Sequence, residues 1–91
     1  MSNKAIKEQV SRVAVSIFDQ EYVLKGPEPL QYLENLAKQV DRKMKEVLHK
    51  HPTLSPFKVA VVTALHFADE LAKMQAEYES LIQLLEEERK A

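Results

Sequence analysis

The sequence contains no cysteine, only one glycine and no long apolar run. Without cysteine there is no disulfide framework and no thiolate nucleophile or metal ligand. One glycine, Gly26, is too few for a glycine-rich phosphate-binding loop. The longest apolar stretch, residues 59–68, includes Thr63 and His66 and is about half as long as the ~20 residues that a membrane span needs. These absences argue against several enzyme classes and predict no membrane insertion.

The charge balance argues against a nucleic-acid-binding protein, and the length favours self-association. The chain has 13 basic and 14 acidic residues among 91, for a net charge of -1. A nucleic-acid-binding domain usually has a clear basic excess, so no nucleic-acid partner is predicted. A single domain of this size has a marginal core, and self-association is a common source of additional stability.

The first part of the chain has the pattern of a β-hairpin. Apolar and polar residues alternate over residues 10–18, which predicts a strand with one buried face. A second β-type run covers residues 21–25. We therefore predict a hairpin over residues 10–25 with its turn at Asp19-Gln20, which must pack on a helix because two strands alone are barely stable.

Two helices are predicted to follow the hairpin. Helical spacing of leucine, valine and methionine predicts the first helix over residues 28–50, with Glu28 in the first turn. Ser55 followed by Pro56 is typical of an N-cap and a first helical residue, and the second helix should run to about Arg89. Its first half, residues 57–71, is apolar on nearly all sides and is predicted to be buried.

These elements predict an α+β fold, in which a small head with a β-hairpin packed on helices is followed by a long C-terminal helix. A helix from Pro56 to Arg89 measures roughly 50 Å, about twice the diameter of a globule of this length. It must therefore project beyond the head. The predicted organisation is a flexible tail over residues 1–9, a head over residues 10–71 and a coiled-coil extension over residues 72–91.

The second helix carries an apolar seam with heptad spacing. Its apolar residues from Ala60 to Leu85 are separated alternately by four and three positions, the repeat that keeps one face against a partner helix. Near the tip, Ile82 and Leu84 widen this stripe beyond what a two-stranded coil needs, which predicts a dimer seam near the head and a higher-order junction near the tip. The predicted oligomer interface consists of Ala64, Phe67, Leu71, Met74, Tyr78, Leu81, Ile82 and Leu85.

No pattern of residues predicts a catalytic, cofactor or metal site. His49 and His51 flank Lys50 without further ligands nearby, and they are interpreted as residues of a solvated loop. His66, Asp69 and Glu70 have a spacing that can chelate a metal but lack the paired histidines of the zinc-protease motif, so we interpret them as a helix-face set. The chain is therefore predicted not to be an enzyme and to need no cofactor.

Several short motifs follow one another in a specific order across residues 10–85. They are Val15-Ser16-Ile17-Phe18, Tyr22-Val23-Leu24-Lys25-Gly26, Lys58-Val59-Ala60-Val61 and Ala68-Asp69-Glu70-Leu71. This series resembles the ZapA family of Z-ring-associated bacterial cell-division proteins. The chain differs from the family in two places: members often have glycine where Asp19 follows the first strand, and many have asparagine where His66 follows Ala64-Leu65.

The resemblance implies a non-enzymatic protein of the cytoplasm that acts at the mid-cell division site. It further implies dimers that pair into tetramers, and binding to the tubulin-like GTPase FtsZ, whose protofilaments such a protein bundles. Basic residues on the hairpin and the first helix are the candidates for contact with an acidic part of the filament. They are Arg12, Lys25, Lys38, Arg42 and Lys45.

Two other functional classes remain open from the residues alone. The same scaffold suits a generic coiled-coil adaptor for another client protein. A small metal- or ligand-dependent enzyme is a third class, but the convergent polar groups that an active site needs are missing from the pattern.

Overall fold

A computed structural model describes residues 10–90, so the predicted flexible tail over residues 1–9 lies outside the described part. The chain forms an antiparallel hairpin, a first helix packed on it and a long second helix, which confirms the predicted α+β fold. We number these elements β1 (Ser11–Ile17), β2 (Gln20–Gly26), α1 (Leu30–Lys50) and α2 (Pro56–Lys90).

The hairpin turns one residue earlier than predicted. Its two turn residues are Phe18 and Asp19, with φ of 52° and 65°, and Gln20 already pairs with Ile17. Two consecutive positive φ angles are typical of a type I′ turn, whose twist matches that of the flanking strands. Phenylalanine is unusual in this conformation, but here its side chain packs against the core. This long-range contact outweighs the local preference of the turn.

The first helix begins two residues later than predicted. Pro29 is its N-cap, in an extended conformation with φ of -60° and ψ of 153°. A residue before proline is disfavoured in the helical region, so Glu28 precedes the helix and does not belong to its first turn. The helix ends at Lys50 as predicted, where the backbone N–H of His51 donates to the carbonyl of Val47 at 2.9 Å.

The second helix confirms the predicted start at Pro56. The N–H of Lys58 donates to the Ser55 hydroxyl at 3.3 Å, which is the contact of an N-cap. The helix extends to Lys90, one residue past the predicted end. The chain measures 55 × 50 × 16 Å and has a radius of gyration of 18.8 Å. A compact globule of this length has a radius of gyration of about 12 Å, so the molecule is much more extended than a globule.

The core lies where α1 meets the beginning of α2. Val47 and Val59 are almost completely buried, and Met44 lies beside them. Ile17 and Phe18 at the end of the hairpin pack against this cluster. The predicted apolar face of α1 is thus buried from Leu33 in its first turn to Val47 near its end.

The prediction that residues 57–71 are buried is wrong for the single chain. Val59 and Thr63 are buried, whereas Phe57 is 78% exposed and Leu65 is 62% exposed. The physical reason is that α1 covers only one face of α2, so apolar residues on its other faces remain open. Thr63 is itself unusual, because its hydroxyl has no hydrogen-bond partner among the described residues.

Candidate functional site

The predicted oligomer interface lies along the exposed length of α2. Five of its large residues are between 54% and 66% exposed, and Phe67 is half-buried. From Ala68 to Arg89 every side chain is exposed, so the other described residues cover none of this part of the seam. A continuous apolar stripe left open in this way is typical of a protein–protein contact surface.

The two parts of this seam differ in width. Around the middle, Leu71, Met74 and Tyr78 line one open groove with polar residues beside it. Towards the tip, Ile82 and Leu84 are also exposed and lie on the flanks of Leu81 and Leu85. The wider stripe offers apolar contact to more than one partner helix, since a two-stranded coil buries only the central positions.

Two of the predicted basic contact residues are brought together by the hairpin. Arg12 and Lys25 are directly opposite each other in the register of β1 and β2, and both are exposed. Like charges at opposed positions destabilise a sheet. A negatively charged group close to the two side chains would offset this repulsion.

The other three basic residues lie in different surroundings. Lys38 lines a groove of about 210 Å³ between β1 and α1. Arg42 lines a separate groove of about 340 Å³ between α1 and α2, beside Glu46 and Glu70. The five predicted residues therefore do not form one continuous basic patch.

Lys45, the last of the five, belongs to an internal contact. Its ammonium lies 3.1 Å from the carboxylate of Asp41, whose other oxygen accepts the backbone N–H of Phe18 at 2.8 Å. The Phe18 hydrogen bond, followed by the contact with Lys45, lowers the pKa of Asp41. The same contact raises the pKa of Lys45, with a small further effect of Asp19. We call Asp41, Lys45 and the Phe18 N–H the turn clasp, because it ties the hairpin turn to α1.

Sequence reasoning did not identify Asp41 as a positioning residue. Its hydrogen-bond partner is 23 positions away in the chain, so no local spacing indicates the contact. An apolar groove of about 390 Å³ between the hairpin and the start of α2 was not predicted either. Tyr22, Leu24, Phe57 and Ala60 are among its lining residues, and it continues the apolar surface of α2 towards the head.

His66, Asp69 and Glu70, whose spacing in the sequence can chelate a metal, do not form a metal site in the structure. Within residues 10–90, no three histidine or carboxylate side chains converge in a way that could hold a metal ion. Over the same residues, neither helix combines the length and the apolar character that crossing a membrane requires.

Comparisons with known proteins identify relatives along most of the chain. The family model described as "Cell division protein ZapA" matches residues 13–91. A protein of that name from Geobacillus sp. (strain WCH70) is 37% identical over 83 residues, which are 91% of this chain and 95% of the relative. One from Halalkalibacterium halodurans is 33% identical over 86 residues, 94% of this chain and 90% of the relative. A solved structure described as a ZapA mutant dimer from Geobacillus stearothermophilus matches with a TM-score of 0.68 and 37% identity, covering 87% of this chain and 92% of that one.

Proposed function

The chain belongs to the ZapA family of cell division proteins, and from this premise we propose that it binds FtsZ filaments and cross-links them without catalysing a reaction. The observation that carries the proposal is the unpartnered apolar seam, which projects from a small head over residues 68–89. A projecting seam of this kind joins copies of the chain, and joined copies present several heads to neighbouring filaments. The protein would then act in the cytoplasm at the division site.

Self-association of this chain is the first part of the proposal. It is supported by the exposed seam and by the similarity to a family member whose structure is a dimer. Each large apolar side chain that becomes fully buried contributes about 1.5–3 kcal/mol before the entropy of ordering is subtracted. Burial of four such residues per chain rivals the stability of a small domain, so we propose an obligate dimer that pairs into tetramers at the tip.

The second part of the proposal is that the oligomer binds filaments through several heads at once. When one head of an oligomer is bound, the other heads are held near the adjacent filament at a high effective concentration. Bundling then requires only weak individual contacts. We propose that the head contacts an acidic filament surface through its exposed basic residues, with Lys25 and Lys38 as the principal contacts, because Lys45 is already engaged by Asp41.

The oligomeric state can be tested with the double variant Leu81→Glu/Leu85→Glu. Charges at these positions oppose burial of the tip, so sedimentation should show that tetramers become dimers. The matched control is Ala76→Glu/Gln83→Glu, which adds the same charge on the opposite side of the heptad and should leave tetramers intact. Tetramers that survive the Leu81/Leu85 change would place the junction elsewhere.

Filament binding and bundling are then measured separately. The wild-type protein should sediment with FtsZ filaments and increase their light scattering, whereas the Leu81→Glu/Leu85→Glu variant should still sediment but scatter much less. Lys25→Glu/Lys38→Glu should weaken co-sedimentation, and Lys58→Glu/Lys73→Glu, with the same change in net charge, should not. An absence of co-sedimentation at every salt concentration would contradict the proposal and leave the adaptor for another client protein.

A further inference from the structure

The outer edge of β1 carries backbone groups that the hairpin does not use. In a two-residue hairpin the pair next to the turn exchanges hydrogen bonds, and bonded and non-bonded pairs alternate from there. Since Ile17 pairs with Gln20, the non-bonded positions of β1 are Arg12, Ala14 and Ser16. Their N–H and C=O groups therefore point away from β2, along the unpaired edge of the sheet.

This edge has no hydrogen-bond partner within residues 10–90 and no proline, although charged side chains lie beside it. Within the described residues, no hydrogen bond reaches the outward groups of Arg12, Ala14 or Ser16. β1 has seven residues, with no proline, and proline is one of the common ways to block an edge. The groove of about 210 Å³ beside it is lined by the small residues Ala14, Ser16 and Ala37 and also by Glu34, Lys38 and Asp41 of α1, so an approaching strand meets small side chains on β1 and charged ones on α1.

The charges on the exposed face of the hairpin are arranged asymmetrically. At its open end Arg12 is opposite Lys25, and at its turn end Ser16 is opposite Glu21. Between them Ala14 is opposite Val23, which is 64% exposed. The face thus has a basic end, an apolar centre and an acidic end. When a second copy of the hairpin lies antiparallel to the first, the basic end of each copy faces the acidic end of the other.

We infer that β1 pairs with β1 of a second copy of the chain, antiparallel, with Ala14 on the two-fold axis. In this register Arg12 is opposite Ser16 of the second copy, and the adjacent residue on that copy's β2 is Glu21. The small serine leaves room for the arginine to reach this carboxylate. The exposed Val23 and Ala14 side chains of both copies form a central apolar row.

The resulting four-stranded antiparallel sheet explains two features that are unfavourable in the single chain. A two-stranded sheet is marginal by itself, and the repulsion between Arg12 and Lys25 has no counterpart to offset it. Pairing adds strands to the sheet and brings an acidic residue towards Arg12. The inference concerns the head alone and does not depend on whether the protein binds FtsZ.

Single-cysteine variants test this register directly, because the natural chain has no cysteine. Directly opposed residues of a bonded antiparallel pair have Cα atoms about 5.5 Å apart, within the range of ~4.4–6.8 Å for a disulfide. Under mild oxidation Ala14→Cys should form a covalent dimer. Disulfide formation should be about a hundredfold faster than in the matched variant Val23→Cys. The reason is that pairing holds the two Ala14→Cys thiols at millimolar effective concentration, while the protein itself is micromolar.

A mixture of two variants provides a second readout. Arg12→Cys and Ser16→Cys should each cross-link poorly alone but should form a mixed disulfide dimer after they are unfolded and refolded together. Equal rates for Ala14→Cys and Val23→Cys, with circular dichroism showing both folded, would overturn the inference. So would a purified Ala14→Cys protein that keeps its free thiol, which is the result expected if the edge instead binds an extended peptide of another protein.

Discussion

The packed region, residues 10–67, and the exposed rod, residues 68–89, are stabilised in different ways. The packed region contains every buried side chain of the described chain, including Val47 and Val59. The rod is equally helical but has no buried residue. Isolated helices are marginal in water, and the other described residues supply no packing contact that covers the rod.

The comparison shows that one continuous helix can serve two purposes. In α2, the residues near the start that face α1 complete a core within the chain, while the heptad stripe further along is exposed and is the surface that we propose for other copies. The proposed boundary between head and coiled-coil extension, at residues 71 and 72, lies close to the point where burial ends. We therefore expect substitutions to affect folding in the packed region and association in the rod.

The largest effect on folding should come from Val59→Ala. This side chain is 0% exposed, and its truncation removes two methyl groups and leaves a cavity, which should lower the free energy of unfolding by about 2 kcal/mol. The matched control is Val61→Ala, two residues along the same helix and 45% exposed, which should cost less than ~0.5 kcal/mol. Urea denaturation at one protein concentration measures both. An equal loss of free energy of unfolding from Val61→Ala would contradict the contrast between the two positions, because it would mean that a second copy covers Val61.

Asp41→Asn should give a smaller effect that depends on pH. The folded protein lowers the pKa of Asp41 below that of a free aspartate, about 3.9, so the ionised form stabilises the fold. This contribution is fully present above about pH 5 and is lost as the pH falls through the lowered folded-state pKa. The variant should therefore be less stable than wild type at neutral pH, and the difference should shrink in acid.

The rod contains the control for this ion pair. Asp69 contacts Lys73 at 2.9 Å, but both are highly exposed and neither ties one element to another. Asp69→Asn should leave the urea midpoint almost unchanged at all pH values, as is usual for surface ion pairs. If Asp41→Asn behaved in the same way, the turn clasp would have no role in holding the hairpin on α1.

The smallest effect is expected from Asp19→Gly, and it should be stabilising. Asp19 has φ of 65°, a conformation that glycine adopts without steric cost, so the gain should be about 0.5–1 kcal/mol in urea denaturation. A substitution to glycine on the rod, such as Ala76→Gly, should instead reduce helicity. A loss of stability from Asp19→Gly would show that the aspartate makes a contact that outweighs its strained backbone.

Several elements follow from local sequence and were predicted correctly. Ser55 and Pro56 mark the start of α2 because capping and the fixed φ of proline act within one turn. The alternation in β1 appears as alternating burial, because side chains of a strand point to opposite faces. The helix α1 begins later than predicted because Pro29 disfavours the helical conformation at Glu28.

The sequence alone determines the α+β order of elements and the heptad seam of α2, because both depend on periodicities of a few residues. Only the tertiary structure decides that the turn lies at Phe18 and Asp19, that Arg12 is opposite Lys25, and that Asp41 holds the hairpin. These contacts join residues that are distant in the chain, and their formation depends on how whole elements pack. No local pattern carries that information.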